Sequence, residues 1–292
     1  GAQGNIWTEY MKTPEQVEYM AFPRILAMSE VVWSKNENKN YAGFVRRVEN
    51  FHKRLDALNI NYANHLYEIE GELLSDNSGL SYQLQTLTDG KTIRFTLDGS
   101  EPTVNSEAYT KPIQITESVR IKASVFNSSE KLGNTFSQEI NLHKAVGKQI
   151  TINKEPHKSY PGSGADGLVN GISGSDSRYG DKEWLGFWGE DIEITIDLGE
   201  ETNINSIETR FHNGQGQWIY APKSIIFSFS DEKQQFSIVP NPSEKSILDL
   251  KIPKKLTTSF IKINVYNYGI IPEGKQGAGN KAWTFIDEII VN

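Results

Sequence analysis

Past Leu66 the chain breaks into short runs rich in β-formers, separated by Gly, Pro, Asp and Asn. That texture favours antiparallel sheets joined by turns over long helices. In the first such region the runs are Lys91 to Leu97, Ile113 to Ile115 and Val119 to Phe126, with Asp98-Gly99-Ser100-Glu101-Pro102 as a tight turn. A second region from near Ala145 has Asp191 to Leu198, Ser206 to His212, Ser224 to Ser230, Ser259 to Tyr266 and Trp283 to Val291 as its clearest strands. Gly-rich connections at 160–174 and 268–280 separate them.

The opening sixty residues read differently. Thr13 as N-cap, Pro14 at the first helical position and Gln16 three residues past the cap predict a helix over 13–33. A second helix carries Phe44, Val48, Phe51, Leu55 and Leu58 at spacings of four and three, a narrow apolar stripe that needs a partner surface. One strand and two helices cannot enclose the apolar side chains they present, so this segment reads as the tail of a larger domain.

Within it, Trp7 and Glu9 stand two residues apart. If residues 2–7 form a strand, both side chains share one face. An indole can cover the apolar face of a pyranose, and a contact of about 60 Å² contributes on the order of 1.5 kcal/mol at roughly 25 cal/mol per Å². A carboxylate beside it accepts bonds from neighbouring hydroxyls. The plainer alternative is a core Trp with a solvated Glu.

Composition narrows the partners. With 30 Lys and Arg against 37 Asp and Glu, a net charge of -7, and no basic block, nothing here suits nucleic acid. No apolar run is long enough to span a bilayer as a helix. The chain has no cysteine, hence no disulfide or thiolate chemistry. Its five histidines, at 52, 65, 143, 157 and 212, show no zinc-ligand spacing.

The stretch from Gly1 to Ser34, with NIWTEY followed by PEQVEYMAFPRILAMSEVVWS, resembles the last strand and following helix of the (β/α)8 barrel of glycoside hydrolase family 20, the β-N-acetylhexosaminidases. The resemblance implies that Trp7 lines the pocket for the terminal sugar and that Glu9 binds its outer hydroxyls. It also implies that Trp33 packs on the helix and Arg24 makes a structural salt bridge. Members of this family hydrolyse terminal GlcNAc or GalNAc with retention: a Glu protonates the leaving oxygen while an Asp orients the substrate's acetamido group as nucleophile. That pair belongs to an earlier strand, so no catalytic residue is assigned here and this chain alone is expected to be inactive.

The middle region resembles the small C-terminal β domain attached to these enzymes, through IRFTLDGSEPT at 93–103, Tyr109, Pro112 and IKASVF at 121–126. Asp98 and Gly99 supply its turn, with Thr96 and Thr103 bracing it. The last region resembles a discoidin-like (coagulation factor 5/8 type C) domain, family 32 of the carbohydrate-binding modules. GADGLVNG at 164–171, WLGFWGEDIEITIDLG at 184–199, WIYAPKSIIFSFS at 218–230 and the terminal AWTFIDEIIVN carry that likeness. It implies a structural calcium ion held by the Asn170 side chain, carbonyls near Gly167 and Ile172, the Asp287 carbonyl and the Glu288 carboxylate. Asn170 replaces the usual aspartate, which removes one charge from the site. Candidate sugar contacts are Trp218, Arg178, His212 and Asn213, whereas Trp184, Trp188, Trp283 and Tyr220 are expected in the core.

The expected architecture is therefore multidomain: a truncated end of a (β/α)8 barrel at 1–65, a small antiparallel β-sandwich at 66–143 and a discoidin-like β jelly roll at 144–292. The expected function is the C-terminal portion of an exo-β-N-acetylhexosaminidase acting on β-linked N-acetylhexosamine glycans, with the remainder of the barrel as its partner. By resemblance it is periplasmic, cell-surface or secreted. The alternative is a non-catalytic glycan-binding or surface-anchoring protein.

Overall fold

The expected helix over 13–33 is two helices, α1 (Pro14–Ala21) and α2 (Arg24–Trp33). The Thr13 side chain caps α1 by accepting from the Gln16 N–H. The break falls at Phe22, which is extended at φ -104, ψ 139, as a residue preceding proline prefers, and Pro23 has no N–H to continue the ladder. Arg24 spans the break by donating to the carbonyls of Tyr19 and Met20 at 2.9 and 3.0 Å. The expected salt bridge of Arg24 is thus replaced by a helix C-cap, the site where a cation meets unpaired carbonyls. Helix α3 (Tyr41–Ala57) begins at Asn40, whose Oδ1 accepts from Gly43 N at 2.7 Å. Its buried face is Val45, Val48, His52 and Leu55, with Leu58 exposed, so the stripe is rotated from the expected one and includes a histidine. Residues 2–7 form no strand, because no neighbouring strand pairs with them among the described residues.

The computed structural model describes residues 2–76, 79–231, 235–241 and 246–292; Gly1 lies outside them. The chain divides into two compact units, Gly1–Glu72 with Ser81–Gln114 and Arg120–Gln138, and Leu73–Leu80 with Ile115–Val119 and Glu139–Asn292. Beyond the opening helices the described residues are mostly β-sheet.

Strands β1 (Ile69–Asp76), β2 (Gly79–Thr86) and β5 (Ile113–Gln114) form one sheet in the order β1-β2-β5. Strands β3 (Thr92–Thr96), β4 (Glu107–Ala108), β6 (Val119–Asn127) and β7 (Glu130–Ile140) form another in the order β4-β3-β6-β7. Alternation along β3 and β6 buries Ile93, Phe95, Ile121, Ala123 and Val125, and Tyr82 of β2 lies with Phe136 of β7 at 6.4 Å between ring centres. The turn after β3 is built as its residues suggest. Asp98 Oδ1 accepts from Ser100 N at 2.9 Å, Gly99 takes φ +76, and Thr96 Oγ1 donates to the Ser100 carbonyl at 2.6 Å.

The largest sheet comprises β8 (Gln149–Ile152), β9 (Leu185–Trp188), β10 (Ile192–His212), β11 (Ser224–Phe229), β12 (Gln235–Ile238), β13 (Ile247–Tyr266) and β14 (Trp283–Val291). Its order is β12-β11-β13-β10-β14-β9, with β8 pairing the first part of β10. The runs 191–198 and 206–212, separate in the sequence pattern, are one strand paired antiparallel to β13, from Ile192 opposite Val265 to His212 opposite Ile247. Register shifts between Asp197 and Thr202 and between Ile204 and Ser206 let that strand bend. Ile192, Ile194, Ile196 and Leu198 then reach the same core as Ile207 and Phe211 and meet Ile225, Phe227, Ile263 and Ile286 there.

Candidate functional site

The loops of the second unit gather an open cavity of about 430 Å³. Its wall is built from three connections. The segment after β10 supplies Asn213, Gln215, Tyr220, Ala221, Pro222 and Lys223; Val239 and Pro240 follow β12; and Tyr268, Ile270, Pro272 and Lys275 lie between β13 and β14. Asn267 fixes the start of that last loop: its Nδ2 donates to Ala282 O and Thr284 Oγ1 at 3.0 and 2.9 Å, and its Oδ1 accepts from Gly269 N at 2.7 Å. Tyr220 and Tyr268 stack at 4.8 Å, and the Tyr220 hydroxyl donates to Gln276 O at 2.8 Å. Lys275 Nζ lies 5.9 Å from the Tyr220 ring centre, a cation over an aromatic face. Three prolines in the rim fix its backbone before any ligand arrives.

Trp218 stands beneath this cavity. At φ +64 it accepts from Trp283 N through its carbonyl at 2.9 Å, and its half-buried indole packs with Tyr220, Tyr268, Ile271 and Ala282. A Cβ at Gly277 would come within 2.4 Å of that indole, so only glycine admits it. Of the four sugar-contact candidates, Asn213 lines the cavity, while Trp218 props the aromatic pair from behind. His212 is buried against Tyr179 and Trp184, at 5.5 and 5.6 Å between ring centres, and burial lowers its pKa. Arg178 is exposed and does not line the cavity. Sequence reasoning missed Lys223, Tyr268 and Lys275, whose one signal was position in loops flanking aromatic strands. Trp184 and Tyr220 are buried as expected, but Trp188 is 40% exposed, at the end of β9 beside Trp283.

The residues named for calcium do come together. Glu288 Oε1 accepts from His143 Nε2 at 2.8 Å and from Gly171 N at 2.9 Å. Asn170 Oδ1 turns back to accept from Ile172 N at 2.8 Å. Gly167 and Ile172 are buried in the same loop. Asp287 Oδ2 accepts from Gly174 N and Arg210 Nη1 at 2.9 and 3.0 Å, while Arg210 also meets Asp176 and Asp249 and lies over Trp184. Burial pushes Asp287 up to about 7 against the pull of Arg210, and burial likewise raises Glu288 against the hydrogen bond from His143.

Calcium takes roughly six to eight oxygens. Here Glu288 Oε2 is the one oxygen of the Asn170 and Glu288 side chains without a partner. No group of three or more His, Cys, Asp or Glu gathers as a metal set among the described residues. An imidazole N–H on the carboxylate and an amide where an aspartate is usual reduce the negative charge facing an ion, while Glu288 Oε2 and Asp287 Oδ1 are buried without a hydrogen-bond partner.

Trp7 and Glu9 lie in the first unit. Trp7 is 72% exposed, Glu9 is exposed in the turn closed by Met11 N donating to Thr8 O, and neither side chain has a partner among the described contacts. Trp33 is 88% exposed rather than packed, since its helix buries no residue.

Comparison with known proteins places two segments. Residues 1–36 match the glycosyl hydrolase family 20 catalytic domain, and residues 76–137 match the chitobiase/beta-hexosaminidase C-terminal domain. A beta-hexosaminidase of Porphyromonas gingivalis is 34% identical over 248 residues, which is 82% of this chain and 30% of the relative. The two matches follow one another in the order catalytic-domain segment then C-terminal domain, and the chain spans under a third of the length of that relative. Among solved structures, the lectin domain of lectinolysin complexed with Lewis B antigen is 15% identical, covering 52% of this chain and 97% of its own, at a TM-score of 0.36. A Streptococcus pneumoniae fucose binding module is 13% identical, covering 57% and 97%, at a TM-score of 0.35.

Proposed function

We propose that the chain is the C-terminal portion of a retaining exo-β-N-acetylhexosaminidase that removes terminal GlcNAc or GalNAc from glycans, with its second unit as a glycan-binding module. The observation that carries this is the order of the two family segments on a chain related to a β-hexosaminidase along 82% of its length. Exposed Trp7 and Glu9 support it: an indole and a carboxylate facing outward form one wall of a cleft whose other walls belong to the rest of the barrel. In the complete enzyme Trp7 stacks on the terminal sugar and Glu9 accepts from its hydroxyls, each charge-assisted bond contributing roughly 1.5 to 3 kcal/mol. Proton transfer falls to the Asp-Glu pair on an earlier barrel strand, so this chain binds and does not hydrolyse. The protein acts in the periplasm, at the cell surface or outside the cell, and none of the described helices is long and apolar enough to cross a membrane.

A chromogenic N-acetylglucosaminide tests it. The chain alone should be blank and the reading frame extended upstream active; hydrolysis by the short chain would overturn the assignment of the acid. In the extended enzyme Glu9→Ala should raise KM and lower kcat together, and unchanged kinetics would remove Glu9 from the pocket. The loop cavity favours a second reading, a non-catalytic glycan-binding or surface-anchoring protein, which an upstream frame without an Asp-Glu pair would select.

A further inference from the structure

We propose that the loop cavity of the second unit takes an acidic sugar, a pyranose bearing a carboxylate or sulfate, with Lys223 and Lys275 as its anion contacts. This rests on the glycan-binding reading above and narrows its ligand. The chain as a whole carries a charge of -7, yet among the described residues the only side chains lining this cavity that are charged at neutral pH are the two lysines. Among the described residues no carboxylate lines it, and Glu273, next to Pro272 in sequence, is not among its walls. Neither lysine forms an ion pair among the described residues, and Lys275 is steered over the Tyr220 ring.

The donor and acceptor balance decides the class of ligand. A neutral sugar offers hydroxyls that must donate as well as accept, and a site for it is well served by a carboxylate. Here the charged groups are donors only, which matches a group that only accepts. Around them Tyr268, Ile270, Val239 and the rim prolines present apolar surface to a ring face. Both lysines are exposed, so an ammonium-oxyanion contact here is a solvent-screened attraction that salt weakens further.

The test titrates the intact chain, by calorimetry or ligand-observed NMR, with N-acetylglucosamine, its 6-sulfated form and a glucuronic acid disaccharide. At low salt at least one charged probe should bind about 10-fold or more tightly than the neutral sugar, and that preference should shrink as salt shortens the Debye length to about 3 Å at 1 M. Which charged probe wins separates sulfate from carboxylate. Lys223→Gln and Lys275→Gln should each reduce the charged probe's affinity several-fold, with thermal melts confirming that both variants fold. Equal affinity for neutral and charged probes overturns this inference and leaves the glycan-binding reading standing. No binding to any probe, nor to a broad glycan array, overturns that reading itself.

Discussion

The opening helices and the large β-sheet are held by very different means. Helices α1 and α2 bury no residue completely, and the segment around them leaves Trp7, Tyr10 and Trp33 at 72, 91 and 88% exposure. The large sheet encloses a continuous core in which Phe227, Ile194, Ile261 and Ile286 have no exposure at all. Capping signals and periodicity are therefore sufficient to shape a helix but not to supply it with a core. Helix stability in proteins comes mainly from the face that is packed.

Substitutions can break that contrast. Phe227→Ala in β11 should cost about 3 to 5 kcal/mol in chemical denaturation, the toll of an aromatic cavity in a core that cannot collapse; a loss below about 1 kcal/mol would mean the core is looser than described. His143→Ala should cost about 3 kcal/mol by stranding the Glu288 carboxylate. In the parent protein, chelator should leave the melting temperature unchanged. A clear drop restored by calcium would return Asn170 and Glu288 to the role of ligands.

In the first unit, Asn40→Ala should lower stability by about 1 kcal/mol through loss of the α3 cap. Glu101 is held at about 2 by hydrogen bonds from Lys122 and Thr135. A carboxyl depressed on folding contributes stability above its unfolded pKa and loses it as pH falls, here between about 4.5 and 2. Glu101→Gln should flatten that acid limb of a thermal-melt series, and an unaltered limb would remove the group from it. Smallest of all, Trp33→Ala should stay within about 0.5 kcal/mol, since the ring is 88% exposed; a larger loss would show α2 packed after all.

Much of this fold was legible because local chemistry decided it. Thr13-Pro14, the Asp98-Gly99 turn and the alternation of Ile192, Ile194 and Ile196 each act through neighbours a few residues away. The misses have two causes. The break at Pro23 was written in the sequence and outweighed by a periodicity that continued across it. The joining of 191–198 to 206–212 needed the partner strand β13, whose register shifts no single segment records. His52 on the buried face of α3 and Trp188 half in solvent depended on what lay opposite each ring.

The candidate sites divide in the same way. Sequence alone determined the residue types: an indole and a carboxylate two apart near the start, an Asp-Glu dipeptide in the last strand, aromatics and lysines in Gly- and Pro-rich loops. Tertiary structure decided their employment. It turned Trp218 into a prop, set His143 on Glu288, and brought Lys223 to the same cavity as Lys275, fifty-two positions later in the sequence (275 - 223). The physical reason is range: caps, turns and alternation are settled within a few residues, whereas burial and charge pairing are fixed only when distant segments exclude water together.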